Sequence, residues 1–291
     1  MYMETGLMIA LGITLIVGVM LIFFNSTPSE AVKYKKTLEY VRFDAEEIQT
    51  EDVIKKRLQL VALNTYWEAL RPFVLPEIVM KIDVCEEDAI PLGSSKTGGF
   101  PHICPQINIE PQLMFVAQIN CEEIYPFDKE NLLPGVGMLY FFLYPSKLKD
   151  NAKDAVSVIY SPHSDSLTPR KEVLTLPADV QSGRLRFFQG ISLPPHDSEI
   201  VRNLLKDYET DGYFKVTNRE QCHKTGGYPD TVTQDFRQEK DKVLLLQLDS
   251  DPQSGLLWGN MGRLFVFAEK QCVASRKFDQ TYTFIQSYEE A

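Results

Sequence analysis

One polar heptapeptide occurs twice in this chain, and each copy leads into the same train of apolar segments. Ser95-Lys96-Thr97-Gly98-Gly99-Phe100-Pro101 returns as His223-Lys224-Thr225-Gly226-Gly227-Tyr228-Pro229. The first copy is followed by apolar runs at 113–120 and 137–143, the second by runs at 243–249 and 262–268, in the same order and at nearly the same spacing. A single short match arises by chance, but three in order mark an internal duplication. Two long copies make a paired-module domain, because a solenoid needs three or more short repeats. The halves extend over about 74–160 and 205–285. If a pseudo-two-fold relates them, Lys96 and Lys224, Gln118 and Gln247, and Asn120 and Asp249 occupy equivalent environments.

Short runs rich in Val, Ile, Phe and Tyr, punctuated by Gly, Pro and Asp, predict further strands at 156–160, 185–189 and 282–287. Helical spacing occurs in two places. Thr50 suits the N-cap of a helix from Glu51 to about Arg71, stopped by Pro72, and Ser198 stands near the start of a second helix over 198–209. No regular strand-helix alternation occurs. The predicted class is therefore α+β, internally duplicated, with mostly antiparallel sheets and a few flanking helices in one domain over 50–291.

Ahead of that domain, Gly6 to Phe24 holds nineteen residues without a charge, enough to cross a hydrocarbon layer of roughly 30 Å as a helix. A cleaved signal peptide wants basic residues before the run and a small-x-small site after it; here only Glu4 precedes it and Asn25-Ser26-Thr27-Pro28 follows. The expectation is a short extracytoplasmic end at 1–5, one N-terminal transmembrane helix at 6–24, and a polar tether and lead-in at 25–49. Lys33, Lys35 and Lys36 follow the run and no Lys or Arg precedes it, which places the C-terminal domain in the cytoplasm as a single-pass protein of the inner (cell) membrane. Gly6, Ala10, Thr14 and Gly18 fall on one side of that helix. Such a stripe allows self-association, but small residues are also simply common in membrane helices, and both readings stay open.

The chemistry of the chain is sparse. A formal net charge of −10 excludes a basic nucleic-acid footprint and leaves a protein partner of unidentified kind as the expectation. Five cysteines without framework spacing fit reduced thiols. There is no Gly-x-Ser-x-Gly elbow, His-Glu-x-x-His, Gly-x-Gly-x-x-Gly or Walker lysine, and no Cys-x-x-Cys knuckle. No catalytic residue, metal or cofactor is assigned. His102-x-Cys104 and Cys222-His223 are the only neighbouring His and Cys pairs, and adjacent residues on an extended chain point to opposite faces, so buried inert thiols are expected.

Within the repeats, Gly98, Gly99, Gly226 and Gly227 read as structural turns, since both positions of a Gly-Gly hairpin tolerate positive φ. A glycine loop whose backbone amides face an anion is the alternative. Gln118 and Gln247 lie inside apolar strands, where a buried amide must be paired; each is expected to bond the backbone of its own hairpin. Lys96 and Lys224 are then left to meet a ligand or a carboxylate, with Lys224 near Asp249 or Asp251. Those two aspartates share a strand face and repel unless a cation lies between them, or else serve as turn formers before Gly255.

The order Lys-x-Gly-Gly-x-Pro, an apolar strand ending Ala117-Gln118-Ile119-Asn120, then Leu133-Pro134 and Gly137 before an aromatic strand, resembles the YwqG-like family, bacterial proteins catalogued as a domain of unknown function. The second half adds its own heptapeptide, Leu245 to Asp251, and Leu257-Trp258-Gly259-Asn260, where the family usually has Trp-Gly-Asp. The resemblance covers about Val74 to Ala268 and implies an α+β fold with extensive sheet; it brings no settled activity. Family members usually lack the anchor, and their genes can sit beside secreted-toxin genes. The expected function is a membrane-anchored, cytoplasm-facing, non-enzymatic protein-binding module, with antitoxin or immunity protection as its narrower form. The alternative is a hydrolase or a nucleotide- or phosphate-handling enzyme using the duplicated Lys-Thr-Gly-Gly loops, which would gather Lys96, Lys224, Asp249 and Asp251 in one concave pocket.

Overall fold

The structure, a computed structural model, describes residues 29–44, 47–148, 153–231, 241–278 and 280–288. The expected span at 6–24, its orientation and its small-residue stripe lie outside the described residues. Among those residues no helix is long and apolar enough to cross a membrane.

The strands are β1 (Leu75–Val84), β2 (Lys96–Thr97), β3 (His102–Ile103), β4 (Met114–Asn120), β5 (Met138–Leu143), β6 (Val156–Ser161), β7 (Thr168–Pro169), β8 (Leu174–Thr175), β9 (Gly183–Ser192), β10 (His223–Gly226), β11 (Lys242–Asp249), β12 (Arg263–Glu269) and β13 (Thr281–Gln286). Eleven of them form one sheet in the order β13-β12-β11-β10-β1-β9-β2-β4-β5-β6, with β8 added beside β4 and β3 paired separately with β7. All pairs are antiparallel except β8 on β4. The outer strands approach each other: Thr283 N donates to Lys153 O at 2.6 Å, and Val156 N donates to Thr283 Oγ1 at 3.1 Å. The expected sheets are thus one nearly closed, barrel-like sheet, which leaves little unpaired edge.

The duplication is visible in the pairing. β1, β2, β4, β5 and β6 correspond in order to β9, β10, β11, β12 and β13. β1 and β9 run side by side at the centre, and each crosses to the other half: β1 pairs with β10, β9 with β2. Lys96 faces Gln118 across β2 and β4, as Lys224 faces Gln247 across β10 and β11. Even the irregularity repeats, since both long strands slip register at matching places, Phe115/Ala117 and Leu244/Leu246.

Alternation divides the faces. Leu139, Phe141, Leu246, Leu248, Leu264 and Val266 point into the barrel and form one core with Ile78, Met80, Leu185 and Phe187. Tyr140, Phe142, Phe265 and Phe267 point outward and are covered by smaller clusters. A third cluster joins the helices that pack beside the barrel.

Those helices differ from expectation. Residues Glu30–Leu38, placed in the polar tether, form a helix, α1, docked on the domain: Leu38 is buried, Tyr34 OH donates to Val61 O at 2.9 Å, and Lys215 Nζ donates to Leu38 O at 2.7 Å. The helix expected over 51–71 ends at Leu60 as α2 (Glu51–Leu60), capped by the Thr50 hydroxyl as anticipated. Ala62 takes φ 57°, and Leu63 N closes back on Leu58 O at 2.7 Å, so the chain turns and buries Leu63. Nothing in an alanine announces that left-handed turn. After it, α3 (Trp67–Leu70) is flanked by short 3-10 turns. The second expected helix runs only from Glu199 to Leu204, with Ser198 as its cap, and a separate helix follows at Thr210–Thr217. Between them Glu209 holds the chain in a tight turn, accepting from Lys206 N at 2.9 Å and from Tyr66 OH at 2.7 Å.

Candidate functional site

The two Gly-Gly turns are built alike, and neither is the expected hairpin: β2 pairs with β4 and β9, β3 with β7, and β10 with β1 and β11. Each Gly-Gly pair has positive φ, 63° and 62° at Gly98 and Gly99, 72° and 66° at Gly226 and Gly227. This backbone turns each loop so that its lysine amine reaches the carbonyl four residues on: Lys96 Nζ donates to Phe100 O at 3.0 Å, and Lys224 Nζ donates to Tyr228 O. Each glutamine then spans its own turn. Gln118 Nε2 donates to Ser94 O at 2.7 Å while Oε1 accepts from His102 N at 2.8 Å. Gln247 Nε2 donates to Cys222 O at 2.8 Å while Oε1 accepts from Asp230 N at 3.0 Å. One amide thus ties both arms of a loop to the neighbouring strand, in both halves.

Both lysines are 0 % exposed. An ammonium in that position needs a carboxylate, because desolvation otherwise favours its neutral form. Lys96 is met by Glu87, which also accepts from Ser182 Oγ at 2.6 Å and from Phe100 N at 3.3 Å. Burial lowers the pKa of Lys96, and Glu87 opposes this; burial raises that of Glu87, but the bonds from Lys96 and Ser182 outweigh it and hold the carboxyl below its usual range. Lys224 is met by Glu77 at 3.1 Å and Asp230 at 3.0 Å. The expected approach of Lys224 to Asp249 or Asp251 is therefore corrected: the partners are Glu77, from the crossed-over strand β1, and Asp230, just past the loop.

The second half carries far more buried charge than the first, and the register shows where. Val79 lies opposite Lys224 and Arg184 opposite Lys96, which makes Glu77 the counterpart of Ser182. Asp249 pairs with Arg263 where the first half pairs Asn120 with Met138. Arg219 grips Glu77 through Nη1 and Nη2, and its Nη2 also donates to Asp230 at 2.8 Å. Arg263 Nε lies 2.9 Å from Asp249 Oδ2, while its Nη1 donates to Asp230 O and its Nη2 to the carbonyls of Arg219 and Glu220. Glu77, Asp230 and Asp249 thus face Arg219, Lys224 and Arg263, three carboxylates against three cations. Although Asp230 is buried, the charges of Arg219, Lys224 and Arg263 hold its carboxyl far below the usual range. Asp249 goes the other way: burial, with the nearby Asp230 charge, outweighs Arg263 and pushes it up to about 6.

Asp251 is separate from this network. It caps a turn by accepting from Gln253 N at 3.0 Å and bridges to Leu256 across the turn. His223 Nε2 lies 4.0 Å from its carboxylate, while His223 Nδ1 accepts from Asp249 N at 3.1 Å. Burial holds His223 down to about 4, so its ring is neutral at physiological pH, and burial pushes the Cys222 thiol up to about 12. Cys222 Sγ is directed at the backbone O of His223 and His223 Nδ1 accepts from Asp249 N, so the thiol and the ring are not bonded to each other. His223 and Asp251 line a cavity of about 380 Å³ together with Gln49, Met80, Arg219 and Gln221. Lys96, Lys224 and Asp249 line none of the main cavities. Among the described residues, no group of three or more His, Cys, Asp or Glu side chains is arranged to hold a metal ion.

A second cleft, of about 360 Å³, opens on the far side of the same second-half turn, where Gly226, Gly227 and Thr225 meet Leu75–Ile78, Val243 and Leu244. Its walls are mostly apolar, and neither buried lysine contributes to them.

Sequence reasoning found the glutamines, lysines and glycines because they recur. It missed Glu77, Glu87, Arg219, Asp230 and Arg263, which lie where the two copies differ. The available signal was an acid in the apolar run Leu75-Pro76-Glu77-Ile78-Val79-Met80, which called for a buried cation.

These features define a class: a duplicated, barrel-like antiparallel sheet with one lysine-centred Gly-Gly turn in each half. The chain belongs to the family described as domain of unknown function DUF1963, whose model matches residues 95–286. No curated protein matches it.

Proposed function

We propose that the protein is a non-enzymatic binding module whose ligand is another protein, similar in kind to the YwqG-like proteins. The observation that carries this reading is the internal use of both repeated lysines and both repeated glutamines. Lys96 and Lys224 are fully buried and spent on carboxylates and loop carbonyls. An enzyme using the Lys-Thr-Gly-Gly loops would need those ammonium groups in a cleft. Burying them in ion networks fixes the loops in place instead, which suits a scaffold that presents a surface.

The proposal includes the N-terminal anchor: the uncharged run at 6–24 tethers the module to the membrane, with the domain in the cytoplasm. Protection against a toxin is its narrower form. Crosslinking in cells from the native membrane, followed by identification of what co-purifies, tests the module; failure to capture a specific protein across crosslinkers of different reach would sink it. Reporter fusions at the C-terminus test the orientation, and an extracytoplasmic readout would reverse it.

A further inference from the structure

The two halves of the sheet differ at one strand position. In the first half β8 lies parallel to the start of β4, with Leu174 beside Met114 and Thr175 beside Phe115. The matched slips of register make Val243 and Leu244 on β11 the counterparts of Met114 and Phe115. Among the described residues no strand lies beside Val243 and Leu244 on the side away from β12. The space there is the apolar cleft of about 360 Å³, bounded by Val243, Leu244, Thr225, Gly226, Leu75 and Ile78.

Among the described residues the difference traces to the lead-in segments. β8 is the lead-in to β9, so its counterpart is the lead-in to β1. That segment is α3 with its flanking turns, and it buries Trp67 and Leu70 in the helical cluster instead of running along the sheet. A side chain partly takes the missing strand's place: Thr225 Oγ1 donates to Leu244 O at 3.2 Å. The matching Thr97 hydroxyl, in the half where β8 is present, is buried with no partner.

We propose that this slot receives an extended peptide segment of a partner protein, added parallel to β11 as β8 is added to β4. The inference deepens the binding-module reading and rests on it. Strand addition takes its affinity from main-chain hydrogen bonds and its selectivity from alternate side chains. β8 indicates the side chains, because Leu176, just beyond Leu174 and Thr175, packs against the barrel core. Leu174 itself is 46 % exposed, so the preferred segment has a small polar residue followed by one apolar residue that enters the core. Lys129, Glu130 and Lys270 stand at the mouth of the cleft, so the rim does not demand one sign of charge.

The test uses the full chain and the peptide Arg-Lys-Glu-Val-Leu-Thr-Leu-Pro-Ala, which corresponds to residues 170–178 and so to the segment seated in the first half. Hydrogen exchange is followed with and without this peptide at up to ~1 mM, beyond which association is negligible. The expected result is saturable slowing of amide exchange by about tenfold or more, confined to Lys242–Leu245 and the Thr225 turn. The same peptide methylated on the backbone nitrogens of its central Leu and Thr should lose at least about tenfold in affinity, because its donors are gone while its apolar surface remains. No protection at Val243 and Leu244, equal binding of the methylated peptide, or protection mapped elsewhere would each overturn the slot. Loss of peptide binding while a specific partner is still captured from cells removes the slot alone; peptide binding without any cellular partner removes the module reading.

Discussion

Replacing Lys224 with alanine should destabilise the fold severely, although a lysine in a polar loop looks dispensable. Glu77 and Lys224 are both 0 % exposed, and Asp230 is nearly as deep, so water cannot take over the role of the lost ammonium. Glu77 and Asp230 face Arg219 and Lys224 as two carboxylates against two cations, and the substitution leaves one buried negative charge uncompensated. Breaking such a pair costs ~3–5 kcal/mol. For a domain of this size that is a fall in Tm of roughly 6–20 °C. The matched change Lys96→Ala should cost less, ~1–2 kcal/mol, because the Glu87 side chain is 24 % exposed and can be rehydrated. Urea unfolding followed by fluorescence of the buried Trp67 and Trp258 gives both values, with the slope unchanged if only stability moves. Lys224→Met with Glu77→Gln, which removes one charge of each sign, should recover part of the loss. A loss below ~1 kcal/mol in Lys224→Ala would refute the reasoning, since a network that tolerates an unpaired buried carboxylate is not holding the turn.

Gln247→Leu should cost ~2–4 kcal/mol in the same titration, because it strands Asp230 N and Cys222 O in a buried site; a change under ~0.5 kcal/mol would show that the amide does not tie the loop. Gly99→Ala should be strongly destabilising, since a Cβ there would lie 1.8 Å from Glu87 Oε2 and φ is +62°; an unchanged Tm would mean that Glu87 moves freely, contrary to its bonds with Lys96 and Ser182. Asp249 has a folded pKa raised from 3.8 to about 6, so the stability linked to its protonation is present below pH 3.8 and lost as pH rises through about 6. Asp249→Asn should therefore gain stability relative to the parent between those pH values, by up to ~3 kcal/mol, and parallel pH curves would contradict the assignment. His223 has a depressed folded pKa, so it stabilises above pH 6.5 and that contribution disappears as pH falls through about 4; His223→Gln should flatten this acid limb, measured as Tm against pH.

The duplicated heptapeptide and its trailing apolar runs determined much by themselves: an internal repeat, mostly antiparallel sheet, and Gly-Gly turns whose positions need positive φ. They also pointed to Gln118 and Gln247, because an amide inside an apolar strand must be paired wherever the strand goes. The Thr50 and Ser198 caps were legible for the same reason, since a cap bonds within its own turn. Local chemistry of this kind does not depend on distant parts of the chain.

Only the tertiary structure decided which carboxylates meet the lysines. The crossing of β1 and β9 brings Glu77 to Lys224 from a strand that precedes it by 147 residues, and no spacing rule encodes that approach. The break in the helix after Leu60 likewise depends on how Leu58 and Leu63 pack, which overrides the helical preference of Ala62. So does the asymmetry behind the proposed slot: the lead-in to β1 coils into α3, where Trp67 and Leu70 are buried in the helical cluster, while the lead-in to β9 stays extended as β8. The sequence set the two copies to fold alike. Packing made them different, because each stretch between the repeats settled on whichever neighbouring surface buried its apolar side chains.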